Sequence, residues 1–172
     1  MRKDEGEQGV SGGKSRRLEL YFDGLCEPVN PGGVATYGFV VKEGGKVLCS
    51  GKGLVGVGAR GDDVTNNVAE YTALIKALEC LLEKGLEGAE VVVKGDSQLA
   101  IRQLRGEYKV RSPRIAPLYK RAKELLSKFK AELQWVPREL NEEADALSRE
   151  AFREYLEANK EEFERYYLKS SR

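Results

Sequence analysis

Histidine is absent from this chain of 172 residues, and tryptophan and methionine occur once each. Without histidine there is no His-ligated zinc site and no histidine-based Ser or Cys catalytic triad. The three cysteines, Cys26, Cys49 and Cys80, form no CxxC pair and are odd in number. That argues against a thiolate zinc site or a complete disulfide framework and for small buried thiols. No apolar run approaches the roughly 20 residues that span a bilayer, and the polar amino terminus holds no continuous hydrophobic segment of signal-peptide kind. A GxxxxGK[ST] phosphate loop is missing as well. A soluble, cytoplasmic protein with no membrane partner is the expectation.

Charge is what the chain has in quantity: 33% of its residues are charged, yet the net charge is only +1. The two signs are segregated. Arg102, Arg105, Lys109, Arg111, Arg114, Lys120, Arg121 and Lys123 stand close together against the single acid Glu107, whereas acids outnumber bases from Glu132 to Glu164. A local basic run suits a polyanion partner and equally a solvated helix face.

Length and 41% hydrophobic content suit one domain with tails. Residues 1–17 are nearly all polar or glycine and read as a disordered leader. Leu18, Leu20 and Phe22 alternate with Glu19, Tyr21 and Asp23, the period of a strand, which is expected to end at Asp23. A Gly, Pro and Asn-rich loop leads to a second strand over Ala35 to Lys42, and Glu43-Gly44-Gly45 turns into a third from Lys46 to about Val55, giving an antiparallel meander. Thr65-Asn66-Asn67 opens a helix that carries Leu74, Ala77, Leu78, Leu81 and Leu82 and stops at Gly85. The β-branched run Val91 to Lys94 predicts a strand covered on both faces. Helices from Gln98 and after Pro113, a strand over Ala131 to Trp135, and a helix capped by Asn141 complete a βββαβααβα order. The expected fold class is α/β, a five-stranded mixed sheet whose first three strands are antiparallel, with helices on both faces. The body spans 18–149, and 150–172 form a helical extension.

Four carboxylates stand at the punctuation of this pattern: Asp23 in YFDG, Glu70 in NNVAEY, Asp96 in KGDSQ and Asp145 in NEEADAL. Ordinary explanations exist for three. Glu70 could complete a helix cap, Asp96 could cap the helix of Gln98, and Asp145 could complement a helix dipole. Asp23 has no cap to make, and Glu70 sits one turn before Leu74 on the inward stripe, where a carboxylate is costly without a partner. Ligand sites of α/β sheets lie at strand ends, so the four can converge. Their mutual repulsion requires cations, and two Mg²⁺ match four carboxylates in charge. Oxygen-only ligands suit Mg²⁺ or Mn²⁺, and paired ions are the arrangement used in phosphodiester chemistry.

The motifs YFDG, NPGG, TNNVAEYTAL, GDSQL and NEEADALSR, in this order from Leu18 to Arg149, resemble type 1 ribonuclease H, particularly its archaeal and compact bacterial members. That resemblance implies a ribonuclease H-like fold and two-metal hydrolysis of the RNA strand of RNA–DNA hybrids, leaving 5′-phosphate and 3′-hydroxyl ends. It implies that Asp23 bridges both ions, that Asp145 completes the ion activating the attacking water, and that Glu70 with Asp96 holds the ion on the leaving-group side. Asn30, Thr65 and Asn66 match family contacts to the DNA strand's phosphate, Asn67 and Gln98 match minor-groove contacts, and the loop Gly24 to Gly33 offers backbone groups to 2′-hydroxyls.

The chain also departs from the family pattern. The loop before Asp145 is a short PREL where many relatives carry a mobile histidine, leaving Arg138 or Glu139 to substitute. Glu27-Pro28 lengthens the loop after Asp23, and GEYKVRSPR stands where some relatives have a basic handle helix. Lys109, Arg111, Arg114, Arg102 and Arg105 are the candidates for phosphate contact. A monomer is expected. The rival readings are a catalytically silent nucleic-acid-binding domain and a nuclease of the same fold acting on double-stranded RNA or DNA.

Overall fold

The computed structural model describes residues 16–168. Five strands, β1 (Arg17–Glu27), β2 (Val34–Glu43), β3 (Lys46–Val57), β4 (Glu90–Gly95) and β5 (Lys130–Trp135), form one sheet in the order β3-β2-β1-β4-β5. The first three are antiparallel neighbours, and β4 and β5 run parallel to β1. The mixed sheet expected from the sequence is therefore present. Its helices are α1 (Asn66–Glu83), α2 (Gln98–Leu104), α3 (Ala116–Leu126), α4 (Glu142–Ala158) and the short α5 (Lys160–Phe163), after which one π-helical turn covers Glu164–Leu168. None of the described helices is long and apolar enough to cross a membrane. The predicted leader falls outside the described residues except for Arg16 and Arg17, and Arg17 already belongs to β1.

Alternation sorts the chain onto two faces. Leu18, Leu20 and Phe22 of β1 and Val91 and Val93 of β4 point to one side, where they meet Leu74, Leu78 and Leu81 of α1, Ile101 and Leu104 of α2, and Leu125 of α3. Each such side chain, buried almost completely, contributes on the order of 2 kcal/mol. Val92 is buried on the opposite side, so β4 is covered on both faces as its β-branched run predicts. The opposite face of β2 lies under α4, where the Thr36 hydroxyl donates to the Ser148 carbonyl at 2.8 Å.

Strand β1 does not end at Asp23. It continues through Gly24 to Glu27, paired with Val34 to Tyr37 of β2. Asp and Gly are poor strand formers, but an established antiparallel register overrides local preference. What does end there is the other partnership: the last β1–β4 pair is Phe22 with Gly95. Past that pair the two strands part, and the next residue of each is an acid, Asp23 and Asp96. Predicted as N-cap of the last helix, Asn141 makes no side-chain cap bond; its amide is used elsewhere, as described below. Helix α4 runs unbroken through Arg149 to Ala158.

Two glycines set how closely the helices approach this fork. A Cβ on Gly24 would lie 2.4 Å from the Ala69 carbonyl carbon and 2.5 Å from the Glu70 nitrogen, both in α1. A Cβ on Gly38, which pairs with Asp23, would lie 2.5 Å from the Ala144 carbonyl oxygen and 2.6 Å from the Ser148 nitrogen, both in α4. Only glycine permits backbone contact of this kind. Gly38→Ala should push α4 off the sheet and lower stability by about 1–3 kcal/mol, the usual cost of overpacking. Thermal denaturation beside wild type checks this, and an unchanged melting temperature would show that α4 is free to shift.

Candidate active site

Each acid reaches the fork by a different route. Asp23 is carried by β1 and points to the α4 side with Gly38. Glu70 lies in the second turn of α1, whose start is fixed by Thr65, the side chain of which accepts from the Val68 amide at 3.0 Å. Asp96 follows β4 directly, and it is not the cap of α2. Ser97 is, accepting from the Ala100 amide at 3.1 Å, which leaves the Asp96 carboxylate free for the cleft. Asp145 stands in the first turn of α4.

The four carboxylates line one cleft of about 310 Å³. Asp23, Glu70 and Asp96 each place an oxygen within 4.8 Å of the others, a spacing that could hold a metal ion. Asp145 lines the same cleft outside that triad, and Arg149, one helical turn on, donates from Nε to its Oδ1 at 3.3 Å.

The electrostatics of the cluster are those of charges crowded out of water. Burial pushes Asp23 up to about 8, reinforced by the charges of Asp96 and Asp145. Burial, then the charges of Asp23 and Asp96, raises Glu70 well above the usual carboxylate range. Asp96 is raised by burial too, against a hydrogen bond from Asn141 and the positive charge of Arg138, which pull it down. One oxygen of Glu70, Oε1, is buried without any hydrogen-bond partner. Nearly all buried polar atoms are partnered, so a buried carboxylate oxygen left bare beside two further acids fits a site made for a cation. The donors are all hard oxygens, which suit Mg²⁺ or Mn²⁺ rather than zinc or copper.

Asn141 ties the site together. Its Nδ2 donates to the Phe22 carbonyl at 2.9 Å and to Asp96 Oδ2 at 3.3 Å, while its own carbonyl accepts from the Asp145 amide at 3.1 Å. Its side chain thus joins the strand of Asp23 to the carboxylate of Asp96, and its backbone carbonyl makes the first helical bond to Asp145. From the sequence it reads only as a helix cap, because its partners lie far off along the chain. Arg149 was also invisible as a site residue, although its spacing of four from Asp145 was a usable signal; besides Asp145 it bonds Glu27 Oε2 at 3.3 Å.

The other expected contact residues are placed unevenly. Gly24, Asn30, Asn66 and Arg138 line the acid cleft. Asn30 and Asn66 hold each other: Asn30 Nδ2 donates to Asn66 Oδ1 at 2.8 Å, and the Asn66 amide donates to Asn30 Oδ1 at 3.1 Å. Thr65 is occupied as the α1 cap, and Asn67 Nδ2 reaches Gln103 Oε1 at 3.4 Å. Gln98 lies on a neighbouring groove with Arg102, Arg105 and Trp135. Trp135 connects the two clefts through its ring nitrogen, which donates to the Asp96 carbonyl at 3.1 Å. Several members of the basic run are engaged within the protein. Arg114 pairs with Asp63 at 2.8 Å, and Arg105 donates to the Leu133 carbonyl at 2.7 Å.

A mixed sheet with an acid cleft at the parting of two parallel strands, reached by a helix from each face, defines the ribonuclease H-like class. A family model described as reverse transcriptase-like matches residues 35–151. Ribonuclease HI of Halobacterium salinarum is 42% identical over 140 residues, 78% of this chain and 64% of its own. The N-terminal RNase H domain of Rv2228c from Mycobacterium tuberculosis, solved as a fusion with maltose binding protein, superposes with a TM-score of 0.73 at 34% identity, covering 84% of this chain and 99% of that one. LC11-RNase H1, solved in complex with an RNA/DNA hybrid, gives 0.72 at 34% identity, covering 81% and 99%. The chain belongs to the type 1 ribonuclease H family. It spans 64% of the length of the Halobacterium relative, and the family match ends before the last turns of α4.

A buried acid whose folded pKa is raised takes up a proton on folding, so its ionisation opposes the fold. For Asp23 that cost is absent below about pH 4, the unfolded value, and grows as the pH climbs towards about 8. In chelator the melting temperature should therefore fall between about pH 5 and pH 8. Added Mg²⁺ or Mn²⁺ should raise it more at the upper end, and Asp23→Asn should flatten both responses. Scanning calorimetry of wild type and Asp23→Asn with EDTA or metal checks this; equal metal shifts in the two proteins would count against a cation at Asp23.

Proposed function

We propose that this protein is a metal-dependent endoribonuclease that hydrolyses the RNA strand of RNA–DNA hybrids to 5′-phosphate and 3′-hydroxyl ends. The observation that carries the proposal is the bare, buried oxygen of Glu70 held against Asp23 and Asp96. A silent binding domain would have no reason to keep so unfavourable a cluster, whereas a cation site requires it. Asp23, Glu70, Asp96 and Asp145 would hold two ions, Mg²⁺ or Mn²⁺. When bound, such ions supply a hydroxide-like nucleophile at neutral pH and a Lewis acid for the departing 3′-oxygen.

The chain's own groups supply placement. Asn141 keeps one oxygen of Asp96 turned inward by donating to it, and Arg149 holds Asp145 at the cleft wall. With no histidine in the chain, the exposed Arg138 at the rim is the group that meets phosphate near the acids, and it carries the role of the family's loop histidine in helping product leave. Asn30 and Asn66 present a rigid pair of amides for backbone contact on the DNA strand, and the groove of Gln98, Arg102, Arg105 and Trp135 continues the path beyond Asp96. Lys109 and Arg111, which make no side-chain ion pair among the described residues, add positive charge for phosphate. Contacts of this sort read sugar and groove shape rather than base sequence. The catalytic unit is the body 18–149, acting as a monomer in the cytoplasm with no membrane contact, and 150–172 form an extension to it.

A gel assay of end-labelled RNA–DNA, RNA–RNA and DNA–DNA duplexes with Mg²⁺, Mn²⁺ or EDTA tests the reading. Cutting should be confined to RNA, be strongest on the hybrid and vanish in EDTA. Asp23→Asn and Asp96→Asn should each lower kcat roughly 10²-fold or more, the scale on which removing one electrostatic stabiliser acts, with circular dichroism unchanged. Full activity in either variant, or cleavage in EDTA, overturns it, and preferential cutting of RNA–RNA or DNA–DNA assigns a different nuclease activity to the same cleft.

A further inference from the structure

Beyond α4 the chain folds back onto the body. Phe152 and Tyr155 of α4, Phe163 of α5 and Tyr167 of the final turn form an aromatic cluster over Val34 and Val57. Phe163 lies 6.1 Å from Phe152 edge-on and 5.3 Å from Tyr167. At the rim of the cluster Arg60 donates to Glu162 at 3.0 Å and to Asn159 at 3.2 Å. This packing seats the extension on the body. The hydroxyl of Tyr167 does something separate: it donates to the Gly32 carbonyl at 2.9 Å and accepts from the Ala59 amide at 3.0 Å.

Gly32 belongs to the loop that carries Asn30 into the cleft. That loop is exposed from Pro28 to Pro31, and its backbone is bonded at several points: the Cys26 thiol donates to the Val29 carbonyl at 3.3 Å, the Gly32 amide donates to the Val64 carbonyl at 3.0 Å, and the Gly33 carbonyl accepts from the Gly58 amide at 2.9 Å. Gly58 is pressed so close that a Cβ there would lie 2.0 Å from the Gly32 oxygen. The Tyr167 hydroxyl clamps these two glycine loops from outside. From Gly32 the backbone leads through Pro31 to Asn30, whose side chain is bonded in turn to Asn66 at the start of α1.

We propose that the C-terminal extension braces the 28–33 loop in its substrate-receiving position, with Tyr167 as the positioning residue that acts through Gly32 on Asn30. The inference deepens the proposed hydrolase function and depends on it, since Asn30 is there a contact to the nucleic acid. A loop fixed before binding loses less conformational entropy when substrate arrives, so the brace acts on affinity and leaves the acid cluster alone. The aromatic cluster and the hydroxyl are separable: Tyr167→Phe keeps the ring and removes the clamp.

The test uses the full chain with Tyr167→Phe, Asn30→Ala and the double variant, and measures steady-state kinetics on an RNA–DNA hybrid together with amide hydrogen exchange without substrate. Tyr167→Phe should raise KM about fivefold, the scale of one hydrogen bond, with kcat nearly unchanged, the melting temperature lowered by only a few degrees, and faster exchange at Gly32 and Gly33. In the Asn30→Ala background the same substitution should have little further effect on KM, the non-additivity expected of residues in one network. Unchanged exchange, an unchanged KM, or fully additive effects would overturn the brace. Faster exchange in Tyr167→Phe beside a wild-type protein that cuts no hybrid would uphold the brace and overturn the hydrolase function instead.

Discussion

The repulsion among Asp23, Glu70 and Asp96 is the constraint to which the rest of the fold answers. Three carboxylates within 4.8 Å of one another, two of them buried, could not gather in a flexible chain, because each would turn to water at little cost. They are held together by elements that cannot yield: two strands of a packed sheet and a helix pressed against it. Burial first, and then the charges of neighbouring acids, raises the pKa of all three. A cation would convert that repulsion into binding free energy, so the cost of gathering the acids and their capacity for metal are one property.

Gly24 and Gly38 set the distances across which that property operates. Adjacent in effect, since Gly38 pairs with Asp23, they face opposite sides of the sheet and admit a helix from each. Gly24 brings α1 near enough for Glu70 to pass the strand edge, and Gly38 lets α4 deliver Asp145. Asn141 then joins β1, Asp96 and α4 by hydrogen bonds that stay inside the protein. The cleft is therefore braced from both faces and across the fork, which suits a site whose contents repel.

Much of this was legible in the sequence, for reasons that differ by element. The period-two run of β1 and the leucine spacing of α1 report which face is buried, and burial decides element type. The four acids were visible because each interrupts an apolar pattern without a wholly adequate local role. What escaped was of longer range. Asp23 looked like a strand end because its continuation depends on pairing with Val34 to Tyr37, which no local window contains. Asn141 looked like a cap for the same reason: its partners Phe22 and Asp96 are remote in sequence. Gly24 reads as a loop residue and Gly38 as an ordinary strand position, and their function as contact points for helices appears only when the helices are in place.

Cleft and extension divide the molecule's work by stiffness. The acids sit on strands and helices whose movement would cost burial of Leu20, Phe22, Leu74 and Leu78, so their geometry is secured by the core itself. The loop that carries Asn30 has no such guarantee; its exposed residues bury little, and glycine backbone gives it freedom. A loop that would receive a ligand at the cleft has to be accessible, which rules out fixing it by burial. Hydrogen bonds to its backbone from outside are the remaining means, and the Tyr167 hydroxyl, set on an aromatic cluster anchored to Val34 and Val57, is placed to make them. A segment beyond the last of the four acids thereby bears on the loop that follows the first, and the two ends of the fold meet at the edge of the cleft.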